Sequence, residues 1–150
     1  AGVSVTPFVL SHVKPYESTA FLVRNQSDYL LYLGDTGPDE VEHSNQLGNL
    51  WNHIAPLIQK KQLKSIFIEV SFSNKVADGS LYGHLTPNWL MKEMNKLYLL
   101  AGDHLKEVSI MVTHMKPCDN CETNIKEDLQ KVNSLGLKLY FPKHGEIINQ

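Results

Sequence analysis

No apolar stretch in this chain approaches the roughly 20 residues needed to cross a bilayer, and no charged-then-apolar signal segment opens it. The chain is therefore expected to be soluble, in the cytoplasm or the periplasm, with no membrane partner. It also lacks a basic run. Lys and Arg number 14 against 16 Asp and Glu, and the lysines are dispersed, so there is no electrostatic footprint for an extended nucleic acid. A small phosphorylated substrate is easier to accommodate. Internal repeats, low-complexity tracts and linkers are absent too, which leaves residues 1–150 as one domain. Cysteine is limited to Cys118 and Cys121. Two thiols are too few for a zinc knuckle, which needs two further ligands, and a thioredoxin-like motif belongs after the first strand of a different pattern. Two loop thiols at a helix start, with Asp119 or Asn120 capping it, is the expected arrangement, and a disulfide would imply an oxidising compartment.

What is present is an alternation of strand-like and helix-like runs, with 42% hydrophobic residues, enough for a moderate core. Val3 to Leu10, Thr19 to Arg24 and Tyr29 to Leu33 are β-rich, and Asn25-Gln26-Ser27-Asp28 is a turn composition that joins the second and third as a hairpin. From Ser44 to Lys60, Leu47, Leu50, Trp51, Ile54, Leu57 and Ile58 recur three or four apart, predicting an amphipathic helix that Pro56 must bend or end. Ser65 to Phe72 reads as a buried strand. Pro87 starts a second helix with Leu90, Met91, Met94, Leu97 and Tyr98 on one stripe, running to about Gly102. Glu107 to Thr113 is a further strand, Glu122 to Ser134 a third helix closed by Gly136, and Leu137 to Phe141 a last strand. The class is α/β.

Three short polar segments each follow one of these strands: Ser11-His12, Gly34-Asp35-Thr36-Gly37-Pro38-Asp39, and Thr113-His114-Met115-Lys116-Pro117. Residues at strand ends can converge on one sheet edge while the strands fix their directions. Two divalent cations about 3.5 to 4 Å apart can clamp the attacking and leaving oxygens of a phosphoryl transfer. They need a bridging carboxylate and imidazoles. Asp35 fits the bridge, with Gly37 and Pro38 turning the chain away, although an Asp there can equally cap its own turn. His12 and His114 can supply the imidazoles, or else are strand-end histidines bonded to a carbonyl. Glu69 is harder to dismiss. A carboxylate within Ile66-Phe67-Ile68-Glu69-Val70 is costly to bury without a partner. His43, His53, His104 and His144 have no ligand-like neighbours and are read as surface or packing residues. Lys116 could meet a phosphate or be solvated.

The chain resembles the C-terminal part of a metallo-β-lactamase-fold phosphodiesterase, and most of all the class II cyclic nucleotide phosphodiesterases. Three pieces carry the resemblance over nearly the whole chain. They are Ser18-Thr19-Ala20-Phe21 leading into Leu30 to Asp39, then Ile68-Glu69-Val70-Ser71-Phe72 followed by Gly83-His84-Leu85-Thr86-Pro87, then Val112-Thr113-His114-Met115-Lys116-Pro117. The resemblance implies an αββα sandwich of which this chain is the C-terminal half. It implies two divalent metal ions, Zn2+ first and Mn2+ or Fe2+ as options, with His12, Asp35 and His114 as ligands. It further implies hydrolysis of cAMP or cGMP to the nucleoside 5′-monophosphate, with His84 protonating the departing ribose 3′ oxygen and Glu69 orienting that ring. A transfer-RNA 3′ processing endonuclease of the same fold shares the Gly-Asp-Thr, glutamate, histidine and Thr-His segments, but its RNA substrate would call for a basic surface that the near-neutral charge does not supply.

One element of the family is missing. The upstream His-x-His-x-Asp-His cluster, which supplies four further ligands, occurs nowhere between Ala1 and Gln150. His12, Asp35 and His114 alone do not complete two shells, since a catalytic zinc takes about three protein ligands plus water. The chain also opens on Ala1 rather than Met, so an upstream segment is expected. A half-sandwich would expose an apolar sheet face, which implies pairing with a missing N-terminal half, with a second chain, or with itself as a homodimer. A non-catalytic binding or assembly module is the remaining reading.

Overall fold

A computed structural model of the chain describes residues 2–149. Six strands form one mixed sheet in sequential order: β1 (Val3–Ser11), β2 (Glu17–Asn25), β3 (Asp28–Leu33), β4 (Leu63–Glu69), β5 (Ser109–Thr113) and β6 (Lys138–Tyr140). The first three are antiparallel and the last four parallel. Asn25 pairs with Asp28, so the predicted hairpin turns on Gln26 and Ser27, with Gln26 in the left-handed region at φ 57°. Between strands lie α1 (Asp39–Glu42), α2 (Gln46–Gln59), α3 (Pro87–Ala101) and α4 (Cys121–Val132).

Several boundaries move for physical reasons. Helix α2 starts at Gln46 rather than Ser44, because its first free N–H groups are capped from outside: Asp39 Oδ1 accepts from Leu47 N at 3.2 Å and Oδ2 from Gly48 N at 2.8 Å. It then runs three residues beyond Pro56, so the proline does not end it. Strand β4 stops at Glu69 rather than Phe72, which puts the carboxylate at the strand's end. Cys118 and Cys121 are joined as a disulfide, correcting the reading as two loop thiols. Neither Asp119 nor Asn120 caps α4 as expected: Asn120 is its N-cap residue, at φ 62°, without a side-chain cap bond.

The sheet's two faces differ. One row crosses all six strands as Thr6, Leu22, Leu31, Ile66, Ile110 and Leu139, and its four central residues are buried. Leu47, Leu50, Trp51, Ile54 and Ile58 of α2 and Leu90, Met94 and Leu97 of α3 join that core. Trp51 Nε1 donates to the buried Glu93 Oε2 at 2.8 Å, and burial pushes the Glu93 carboxyl up against the lowering hydrogen bonds of Lys96 and Trp51. The next row reads Pro7, Phe21, Tyr32, Phe67, Met111 and Tyr140 and faces away from these helices. On this second face Val5, Val9, Phe21, Tyr32 and Tyr140 are 42–54% exposed. Among the described residues no helix is long and apolar enough to cross a membrane.

Candidate functional site

Strands β1, β3, β4 and β5 run in one direction, so their C-terminal ends share one edge of the sheet. His12 follows β1, Asp35 follows β3 by one residue, Glu69 ends β4 and His114 follows β5. Carboxyl ends of parallel strands are where open α/β sheets bind ligands. The loop from β4 to α3 adds His84, held by His84 N donating to Leu81 O and closed by Thr86, whose side chain accepts from Trp89 N as the N-cap of α3.

Ligand atoms of Asp35, Glu69, His84 and His114 all lie within 4.8 Å of one another. A His/Asp/Glu cluster of this composition has the chemistry of a divalent-metal site. Within it the four residues are unequal. Glu69 Oε1 accepts from Thr36 N at 3.1 Å and from His84 Nδ1 at 2.7 Å. Its Oε2 accepts from Ser71 N at 3.0 Å, Ser71 Oγ at 2.6 Å and Leu85 N at 3.4 Å. Five donors meet the four or so lone-pair sites of one carboxylate, so Glu69 has no capacity left for an ion. Its burial, which the sequence made costly, is matched by these bonds. Since a carboxylate only accepts, the His84 nitrogen facing it is an N–H, and Nε2 is the atom left for a ligand.

Asp35 and His114 are the more open pair. Their side chains are 37% and 48% exposed, and His114 Nδ1 lies 2.9 Å from Asp35 Oδ1. His114 sits at φ 53°, a left-handed conformation that costs about 1 kcal/mol or more and collects at functional sites. His12 lies outside the four-residue cluster but on the same edge: its ring is 4.9 Å from that of His84, edge to face, and its Nδ1 is 2.9 Å from Gly83 O. Donation to that carbonyl leaves Nε2 as the nitrogen available to a ligand, and such a carbonyl bond is the usual second contact of a metal-binding imidazole. The Gly34 to Gly37 turn is fastened to β1 by Gly37 N donating to Ser11 O at 3.1 Å.

Sequence reasoning missed Ser71. Its hydroxyl is buried beside Glu69, His84 and His114, and nothing in a serine at the end of an apolar run signals that position. Lys116 holds its ammonium 4.3 Å over the Phe72 ring, whose edge meets His84 at 5.7 Å between centroids. Beside His114 an open groove of about 770 Å³ is lined by Tyr32, Phe67, Thr113, Lys126 and Lys143. That size falls in the range of small-molecule sites, roughly 300–1,000 Å³.

Gly83 holds His12 and His84 together. At φ +77° a side chain is strained there, and a Cβ would stand 2.6 Å from His12 Nδ1 and against the Val13 backbone. Gly83→Ala is expected to cost roughly 1–3 kcal/mol, read as a lower urea midpoint. Gly79→Ala, whose Cβ meets nothing within 4 Å, should leave the midpoint where it was.

The family model for class-II cAMP phosphodiesterases matches residues 1–145. A 3′,5′-cyclic-nucleotide phosphodiesterase of Aliivibrio fischeri is 41% identical over 149 residues, covering 95% of this chain and 45% of the relative. A probable 3′,5′-cyclic-nucleotide phosphodiesterase of Yersinia pestis is 37% identical over 145 residues, covering 93% and 42%. The chain thus spans less than half the length of these relatives. Among solved structures, unliganded yeast PDE1 superposes with a TM-score of 0.81 at 26% identity, over 94% of this chain and 44% of that one. The metallo-β-lactamase fold protein YhfI from Bacillus subtilis superposes at 0.55 with 19% identity, over 95% and 48%, a likeness of fold. The α/β layer described above is therefore part of a metallo-β-lactamase fold.

Proposed function

Because this chain belongs to the class-II cAMP phosphodiesterase family, we propose that the complete polypeptide carrying it hydrolyses 3′,5′-cyclic nucleotides, cAMP or cGMP, to nucleoside 5′-monophosphates. The observation that carries the reading is the saturated Glu69 beside His84, set against the open Asp35 and His114. One pair is built to manage a proton and the other to hold a cation.

Asp35 and His114, with His12 through Nε2, would hold divalent ions, Zn2+ or else Mn2+ or Fe2+. The donor set fits: it offers nitrogen and oxygen atoms, and the two half-exposed side chains have free capacity. Ions bound there supply Lewis-acid charge at the phosphoryl oxygens and activate water. The chain's own residues do the rest. When the bond from phosphorus to O3′ breaks, the electron pair stays on the oxygen, and His84 Nε2 delivers the proton that neutralises it. Glu69 holds Nδ1–H at 2.7 Å, which fixes the ring and leaves Nε2 as the nitrogen that acts. Three ligands do not complete two shells. An upstream half is therefore proposed to bring the His-x-His-x-Asp-His cluster and to cover the open part of the second face, Pro7, Phe21, Tyr32, Phe67 and Tyr140. A second copy of the chain covering that face is the other arrangement.

The test is an assay of the complete polypeptide with product identification. Conversion of cAMP to 5′-AMP, abolished by a chelator and restored by zinc or manganese, is expected. A folded protein that neither holds metal nor turns over either cyclic nucleotide would sink the enzymatic reading and leave a binding module.

A further inference from the structure

We infer that Ser71 is a positioning residue that ties the proton-donating imidazole to the metal-binding one, an inference that rests on the function proposed above. Ser71 is 1% exposed, just past the end of β4. Its Oγ lies 2.6 Å from Glu69 Oε2, 3.2 Å from His84 Nδ1, 3.1 Å from His114 Nδ1 and 3.1 Å from the His114 carbonyl. A hydroxyl has one proton. The ionised carboxylate at the shortest distance takes it, because charge-assisted bonds are shorter and stronger than bonds to a neutral carbonyl. The oxygen is then left with lone pairs alone for the two imidazoles.

Both imidazoles can use them. His84 Nδ1 faces Glu69 Oε1 at 2.7 Å and His114 Nδ1 faces Asp35 Oδ1 at 2.9 Å, and carboxylates do not donate, so both nitrogens carry hydrogen. Each N–H is shared between a carboxylate and the same serine oxygen. One atom therefore holds the Nδ1 edges of two rings whose centroids are 5.5 Å apart, and Nε2 of each is the nitrogen left to act. The backbone reinforces the arrangement, since Lys116 N donates to Ser71 O at 3.3 Å and Val70 N to Thr113 O at 3.0 Å, locking the segment after β4 to the loop that carries His114. Without the hydroxyl, Glu69 loses a donor and each ring loses one of two restraints. Movement of the cation-binding ring and of the acid ring would then no longer be linked.

Three substitutions in the complete polypeptide separate this from packing. Ser71→Ala removes the oxygen, Ser71→Cys keeps the volume with a weak hydrogen-bonding atom, and Ser71→Thr keeps the hydroxyl. The expected result is a fall in kcat of about tenfold for Ala and Cys, the effect of one buried hydrogen bond, with KM within about twofold and Thr close to wild type. Nitrogen NMR of the imidazoles gives a readout independent of turnover. The wild type should show sharp Nδ1–H signals for His84 and His114, the tautomer being set by Glu69 and Asp35, and Ala and Cys should keep that tautomer while shifting and broadening both signals, because each N–H loses one of its two acceptors. Retained kcat and unchanged Nδ1–H signals in Ser71→Ala would overturn the inference, as would restoration by Cys, which would mean that volume alone matters. If the wild type fails to hydrolyse cyclic nucleotides, the proposed function falls, and the shift and width of the Nδ1–H signals still decide for or against the serine. Should Thr not fold, the Ala and Cys comparison decides.

Discussion

Asp35→Ala in the complete polypeptide is expected to lower kcat for cAMP roughly 10³- to 10⁴-fold, the several kcal/mol that bound metal supplies, at about 1.36 kcal/mol per tenfold in rate. The carboxylate is 37% exposed and its only side-chain partner among the described hydrogen bonds and ion pairs is the His114 ring at 2.9 Å. Its removal therefore leaves the sheet intact and takes away an anion that a cation would otherwise find. Thermal stability without metal should change little, since exposed ion pairs are worth less than about 1 kcal/mol. Metal content, measured after dialysis, should fall in parallel with kcat, and Asp35→Asn should sit between alanine and wild type because it keeps an oxygen but no charge. A variant that keeps its metal and its rate would show that the turn aspartate is not a ligand and only pairs with the His114 ring.

The succession of strands and helices and the edge were legible because the apolar runs are long and the polar residues stand at their ends. The two-sided character of the sheet is legible as well. In β2, Ala20 and Leu22 alternate with Phe21 and Val23, and in β3 Leu31 and Leu33 alternate with Leu30 and Tyr32, so both faces of these strands are apolar. Strands of that kind are meant to be covered on both sides, and helices cover only one here. Less visible were contacts made across sequence distance. Asp39 caps α2 from eight and nine residues upstream, which no local capping pattern encodes. Ser71 owes its place to the register of β4 on β5, where Glu69 pairs with Thr113. The redox state of Cys118 and Cys121 is not written in a two-residue spacing, and their junction became visible only in three dimensions. Glu69 was the reverse case: a charge in an apolar run demands a partner, and the structure supplies five donors.

His84→Ala is expected to reduce kcat by roughly 10²- to 10⁴-fold, the usual contribution of a positioned proton donor, while metal content stays at the wild-type level. That split separates it from Asp35→Ala, which loses both. The physical ground is the placement of the ring. It is only 6% exposed, its Nδ1 is committed to Glu69 at 2.7 Å, and Thr36 N and Leu85 N steady the same carboxylate from either side. A buried imidazole so held can deliver one proton from one nitrogen along one direction. The decisive comparison uses a cyclic substrate in which sulfur replaces the departing 3′ oxygen. Thiolate is a far weaker base than alkoxide and leaves without protonation, so His84→Ala should recover most of its lost rate on the thio substrate and Asp35→Ala should not. If the histidine variant is equally impaired on both substrates, His84 acts on the ground state or on the fold, and the proton must come from elsewhere.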